Sequence, residues 1–119
     1  MRKVKVVASH VAIPSEEMWF IVDFDDNNHI LIGTDEFGFG SVWWQQWENF
    51  KLDEHSDSEA IMVWHNPEYA KYRSTMDILN RRLAIGEVIR YVDGGEHYIY
   101  RIISIEILNP EVECMNGIA

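Results

Sequence analysis

The stretch from Glu87 to Leu108 constrains the fold more than any other part of the chain. Two largely apolar runs, 87–92 and 97–108, flank Asp93-Gly94-Gly95-Glu96. Such a turn suits a tight hairpin, because its central positions take positive φ, which glycine adopts without a Cβ clash. The second run is twelve residues long and changes phase. Tyr98, Tyr100 and Ile102 share one face, and then Ile103, Ile105 and Ile107 take over. A bulge or bend between Ile102 and Ile103 would let one strand serve two sides of a strongly curved sheet.

Other segments alternate in the same way. Val4, Val6 and Ala8 lie on one face of a strand, with Lys3, Lys5 and Val7 on the other. After a break at 14–17, Met18, Phe20, Val22 and Phe24 share a face. Asp25, Asp26, Asn27 and Asn28 make a turn, and 29–33 is the return strand of a hairpin over 18–33. Gly33, Gly38 and Gly40 punctuate a loop, and 60–65 reads as a short buried strand.

Two segments read as helical. Trp43, Trp47 and Phe50 recur at i, i+4 and i+7, which predicts a short amphipathic helix near 43–50. Asn66-Pro67 is a helix start, and Tyr69, Tyr72, Met76, Leu79 and Leu83 step by three and four toward Gly86. That spacing predicts one main helix over 67–84. The expected class is therefore α+β: a curved antiparallel sheet or small half-open β-barrel with one main helix packed against it. Leu83-x-Ile85-Gly86-Glu87-Val88-Ile89 leading into Tyr98-x-Tyr100-Arg101-Ile102 resembles the hairpin of small barrels, sortases among them. Sortase chemistry needs a Thr-Cys strand end and a downstream arginine. Cys114 stands in Glu-Val-Glu-Cys-Met with no arginine after it, so the resemblance implies no activity.

At 119 residues the chain is the size of one domain, 1–119, large enough for one core. No apolar run approaches the ~20 residues of a membrane span, and no signal peptide is visible. A lone cysteine, Cys114, cannot form an internal disulfide, which fits a reducing, cytoplasmic setting.

Charge is the unusual quantity. The net charge is −10, and residues 11–60 hold twelve acids against Lys51 alone. So acidic a half disfavours direct contact with nucleic-acid phosphates or anionic membranes, both of which demand a basic footprint. It suits a basic protein partner.

Motifs for chemistry are sparse. Asp23-x-Asp25-x-Asn27 resembles the opening of a calcium loop, but Asn28 replaces the glycine of the sharp turn and Thr34 the closing Glu. A hairpin turn is the expectation there. The five histidines (His10, His29, His55, His65, His97) and Cys114 show no zinc-ligand spacing, so no metal or cofactor is expected. Ser41 has no nucleophile elbow, Glu113 works against a thiolate at Cys114, and Gly33, Gly38 and Gly40 do not space as a dinucleotide fingerprint.

The function expected from these features is a non-enzymatic acidic protein-binding module. It would be an inhibitor or immunity-type protein, or a nucleic-acid mimic, that masks the basic surface of a nuclease, toxin or nucleic-acid-binding enzyme. Asp53, Glu54, Asp57 and Glu59 supply the field, Asp35 and Glu36 extend it, and Trp44 beside Glu48 is the exposed aromatic anchor. One alternative is a small ligand- or metal-binding barrel with an aromatic pocket and His65 or His97 as its polar group. Another is a phage-like structural subunit whose charge serves solubility.

Overall fold

A computed structural model describes residues 1–33 and 36–108. Eight strands follow one another: β1 (Arg2–His10), β2 (Glu17–Phe24), β3 (Gly38–Trp43), β4 (Trp47–Glu54), β5 (Ala60–Trp64), β6 (Ser74–Met76), β7 (Val88–Asp93) and β8 (Glu96–Ile107). Each pairs antiparallel with the next, and β8 returns to β1, so the sheet closes into a barrel. Closure removes every sheet edge. Among the described residues no helix is long and apolar enough to cross a membrane.

Alternation along the strands builds the interior. Val4, Val6 and Ala8 of β1 and Met18, Phe20, Val22 and Phe24 of β2 are all buried. The phase slip in β8 is a real bulge: Val7 faces Ser104 and Ala8 faces Ile102, leaving Ile103 as the extra residue. Beyond it, Ile105 takes over the inward side and packs against the core. Gly40, read from sequence as loop, lies inside β3. A Cβ there would sit 2.1 Å from the Trp19 carbonyl oxygen, so only glycine lets β3 lie this close to β2.

The α+β expectation is overturned: the molecule is all-β and the barrel is closed rather than half-open. The main helix of 67–84 does not form. Its start signal is genuine, since Asn66 caps by accepting from the Glu68 backbone N–H, but only a single 3₁₀ turn follows, Pro67–Tyr69. Further on, the backbone donors bond distant carbonyls instead of those four residues back. Leu79 N–H reaches Ser58 and Leu83 N–H reaches Asn28. Asn80 takes φ +56°, and Ser74, Thr75 and Met76 form β6, which bridges β5 to β7. Ring closure outweighs a helix propensity of a few tenths of a kcal/mol per residue. Met76, Leu79 and Leu83 are buried all the same.

The helix near 43–50 is likewise absent. Trp43 and Trp47 are cross-strand partners flanking a three-residue turn, with Gln45 at φ +67°. Their rings meet edge to face at 5.5 Å. A spacing of four thus serves a hairpin as well as a helix. The return strand expected at 29–33 shrinks to one bridge, Phe24 to Ile30, and β3 is the true neighbour of β2.

A meander of this kind places alternate connections at opposite ends. Residues 25–33, 36–37, 55–59 and 77–87 meet at one end. There Ile30, Phe37, Ile78, Leu79 and Leu83 are buried, Asn28 Nδ2 donates to the Leu83 carbonyl at 3.2 Å, Arg2 donates to Asn28, and Asn80 donates to the Asp57 carbonyl. This end is sealed. Residues 11–16, 44–46, 65–73 and 94–95 gather at the other end, the mouth.

Candidate functional site

The two ends divide the residues expected to form one acidic patch. Asp53, Glu54, Asp57 and Glu59 lie together on the β4–β5 hairpin at the sealed end, Glu54 and Asp57 exposed and Asp53 and Glu59 partly shielded. Its backbone is well anchored: His55 and Ser56 N–H donate to the Glu59 carbonyl, and Ser56 Oγ accepts from Glu59 N–H at 3.1 Å. Glu36 is exposed and pairs with Lys51 at 3.5 Å. Asp35, Thr34 and Cys114 lie outside the described residues.

Trp44 and Glu48 lie at the other end, which corrects the idea of an indole beside the acidic hairpin. Asp53 stands five residues along β4 from Glu48, a run of ~17 Å at the usual strand rise. Glu48 faces inward and is only 5% exposed, its Oε2 accepting from Gln46 Nε2 at 2.6 Å. Trp44 is half-buried and packs against the core. The exposed indole is Trp47, at 46%.

What Trp44 joins instead is an aromatic cup. Its ring lies 4.8 Å from Trp64, 5.6 Å edge-on from Tyr69 and 6.3 Å from Tyr91, nearly parallel. Tyr91 continues to Tyr98 at 5.6 Å and Tyr100 at 6.1 Å, and His10 stands edge-on to Tyr100 at 5.1 Å. A cavity of about 180 Å³ lies among His10, Glu16, Trp44, Tyr91, Tyr98 and Tyr100. His10 Nδ1 accepts from the Ala12 and Ile13 N–H groups, so the neutral ring carries its proton on Nε2.

Carboxylates surround this cup, and the tyrosines register them. Burial, with Asp93 and Tyr100 nearby, holds the Tyr91 phenol far above its ordinary range, and the Ser74 hydroxyl offsets only part. Burial and Glu16 raise Tyr100, burial with Glu96 and Asp93 raises Tyr98, and burial with Glu48 and Glu68 raises Tyr69. Ser74 Oγ accepts from Trp64 Nε1 at 3.0 Å and donates to Asp93 Oδ1 at 2.8 Å. The Tyr91 hydroxyl is buried without a hydrogen-bond partner of proper geometry among the described residues. An unpaired buried hydroxyl costs about 1–3 kcal/mol.

The remaining motifs resolve locally. Asp25 Oδ1 accepts from the Asn27 and His29 N–H groups at 2.8 and 2.9 Å, an Asx turn that holds its carboxyl below the usual range. Its lone pairs thus serve the backbone. Among the described residues no group of three His, Cys, Asp or Glu side chains converges as metal ligands. His65 and His97 are exposed and do not line the cup; His10 is the histidine at the mouth.

Sequence reasoning missed His10, Glu16, Tyr91 and Asp93 as site residues. One signal was present: Tyr98 and Tyr100 share the inward face of β8, and Tyr91 pairs with Tyr98 across the hairpin. Comparison with protein-family models, with curated proteins and with solved structures finds no match.

Proposed function

We propose that the protein is a non-enzymatic binding module for a basic protein partner, of the inhibitor or immunity type, acting in a reducing cytoplasm. The observation that carries this reading is the β4–β5 hairpin. Four carboxylates, Asp53, Glu54, Asp57 and Glu59, stand on one anchored turn, and none takes part in the four ion pairs found among the described residues. Exposed charge without internal compensation accelerates encounter with an opposite surface. A nucleic-acid-binding partner would meet these carboxylates where it otherwise meets phosphates. No indole stands at this end, so the hairpin acts by charge and shape.

The test is capture of a partner from the source cell at low and high salt, with Asp53→Asn, Glu54→Gln, Asp57→Asn and Glu59→Gln combined as the comparison. Capture should fall steeply with salt, because exposed charges are screened, and should be lost in the amide variant. Capture that ignores both would overturn the reading. A second reading, a small ligand-binding barrel, is favoured by the aromatic cavity at the mouth. The two surfaces lie at opposite ends and do not compete.

A further inference from the structure

We propose that the cup at the barrel mouth binds an organic ammonium group bearing at least one N–H, held between aromatic faces and beside carboxylates. The proposal rests on the reading of the mouth as a ligand site and adds what that site takes.

Three observations converge on a cation. The walls are π-faces: Trp44, Tyr91, Tyr98 and Tyr100 line the cavity, and Trp64 and Tyr69 back Trp44. Aromatic faces attract cations, most strongly where water is excluded. Among the described residues Glu16 is the acidic group that lines the cavity, and neither lysine nor arginine lines it. Asp93 and Glu48 lie near Tyr91 and Tyr69 respectively, and each is held by a hydrogen bond, to Ser74 and to Gln46. An anion would be repelled here, and a neutral sugar would leave the carboxylates without a counter-charge.

The third observation narrows the class. Glu16 is the carboxylate among the lining residues, so its oxygens are the acceptors that a ligand in the cavity meets. A carboxylate accepts from an N–H, which a protonated amine supplies and a quaternary ammonium does not. The cavity of about 180 Å³ equals roughly six liquid-water volumes at ~30 Å³ each, room for a small alkylammonium head. Such a group can come free or as the end of a lysine side chain.

The test is calorimetric titration of the full chain with trimethylammonium, tetramethylammonium and the small neutral alcohol isobutanol, at matched ionic strength. Trimethylammonium should bind saturably and tightest of the three. Glu16→Gln should weaken it about tenfold, the size of one lost charge-assisted contact. The same variant should narrow the preference for trimethylammonium over tetramethylammonium while leaving the barrel folded. A lysine-containing peptide that competes would identify a side chain as the natural source, and one that does not would point to a free amine.

Isobutanol binding as tightly as trimethylammonium would overturn the cationic class and keep the ligand site. Equal binding of the two ammonium ions by the parent chain would overturn the role of the Glu16 carboxylate as the acceptor. Saturation by none of the three would mean a cavity that holds only water, and would overturn the ligand site as well.

Discussion

The sealed end and the mouth of the barrel both carry excess acid, yet they place it in different surroundings. At the sealed end, apolar residues from 25–33, 36–37 and 77–87 fill the barrel, and the acid stands outside on the β4–β5 hairpin. At the mouth, aromatic rings replace the aliphatic plug, Glu48 is buried, and Asp93 is tied to Ser74. The first arrangement keeps its charge in water, where it is screened. The second leaves one hydroxyl unpaired and keeps its charge in a low dielectric, where attraction for a cation is stronger. One end therefore suits a broad partner met through solvent, and the other a small group that enters.

The largest expected contrast is in stability. Leu83→Ala cuts the plug at a fully buried position, and should cost about 2–5 kcal/mol by denaturant unfolding, as large-to-small core changes do. Tyr91→Phe removes an unpaired hydroxyl from an equally buried site at the mouth. It should be neutral or stabilising by up to ~1–2 kcal/mol, since the buried hydroxyl carries an uncompensated penalty. A loss of stability in Tyr91→Phe comparable to that in Leu83→Ala would erase the distinction between the ends.

Titration sharpens the same contrast. The mouth tyrosines have raised folded pKa values, so their stability is fully present below the ordinary 10.0 and is lost as pH climbs beyond it. Thermal unfolding should therefore shift down on the alkaline side, and Tyr91→Phe with Tyr100→Phe should flatten that limb. Asp25, at the sealed end, is depressed below 3.8, so its contribution is present above that value and fades as pH falls through the folded pKa. Asp25→Asn should flatten the acid limb and leave the alkaline one alone. The reverse pattern would contradict the assignment of groups to ends.

The smallest stability effect belongs to the hairpin. Replacing Asp53, Glu54, Asp57 and Glu59 by their amides should move unfolding by no more than about 0.5 kcal/mol per site, as exposed substitutions do. Its effect should appear in partner capture instead. A large destabilisation would mean the hairpin carboxylates hold the fold together.

Much of this fold was legible where the pattern was local. Alternation exposed β1 and β2, the Asp-Gly-Gly turn exposed β7 and β8, and the shift between Ile102 and Ile103 exposed the bulge. Helices were wrongly expected where one spacing has two meanings. Trp43 and Trp47 are four apart because a three-residue turn separates strand partners, and Met76, Leu79 and Leu83 are buried by separate loop contacts. Closure itself was not legible, because it depends on pairs such as Val4 with Ile107 at opposite ends of the chain. The site shares that obstacle: His10, Trp44 and Tyr100 meet only through strand register. The acidic cluster of 53–59, being contiguous, is visible in the sequence as a loop, whereas the structure makes it the β4–β5 hairpin, with Trp44 at the other end.

The most direct test of this division between ends is an NMR titration of the full chain with trimethylammonium, following the five indole N–H signals and the amides of 54–59. The cross-peaks of Trp44 and Trp64 should move saturably, while those of Trp19, Trp43 and Trp47 and the hairpin amides stay in place. Shifts concentrated on the hairpin, or spread evenly over all five indoles, would show that the mouth is not where a small cation is held.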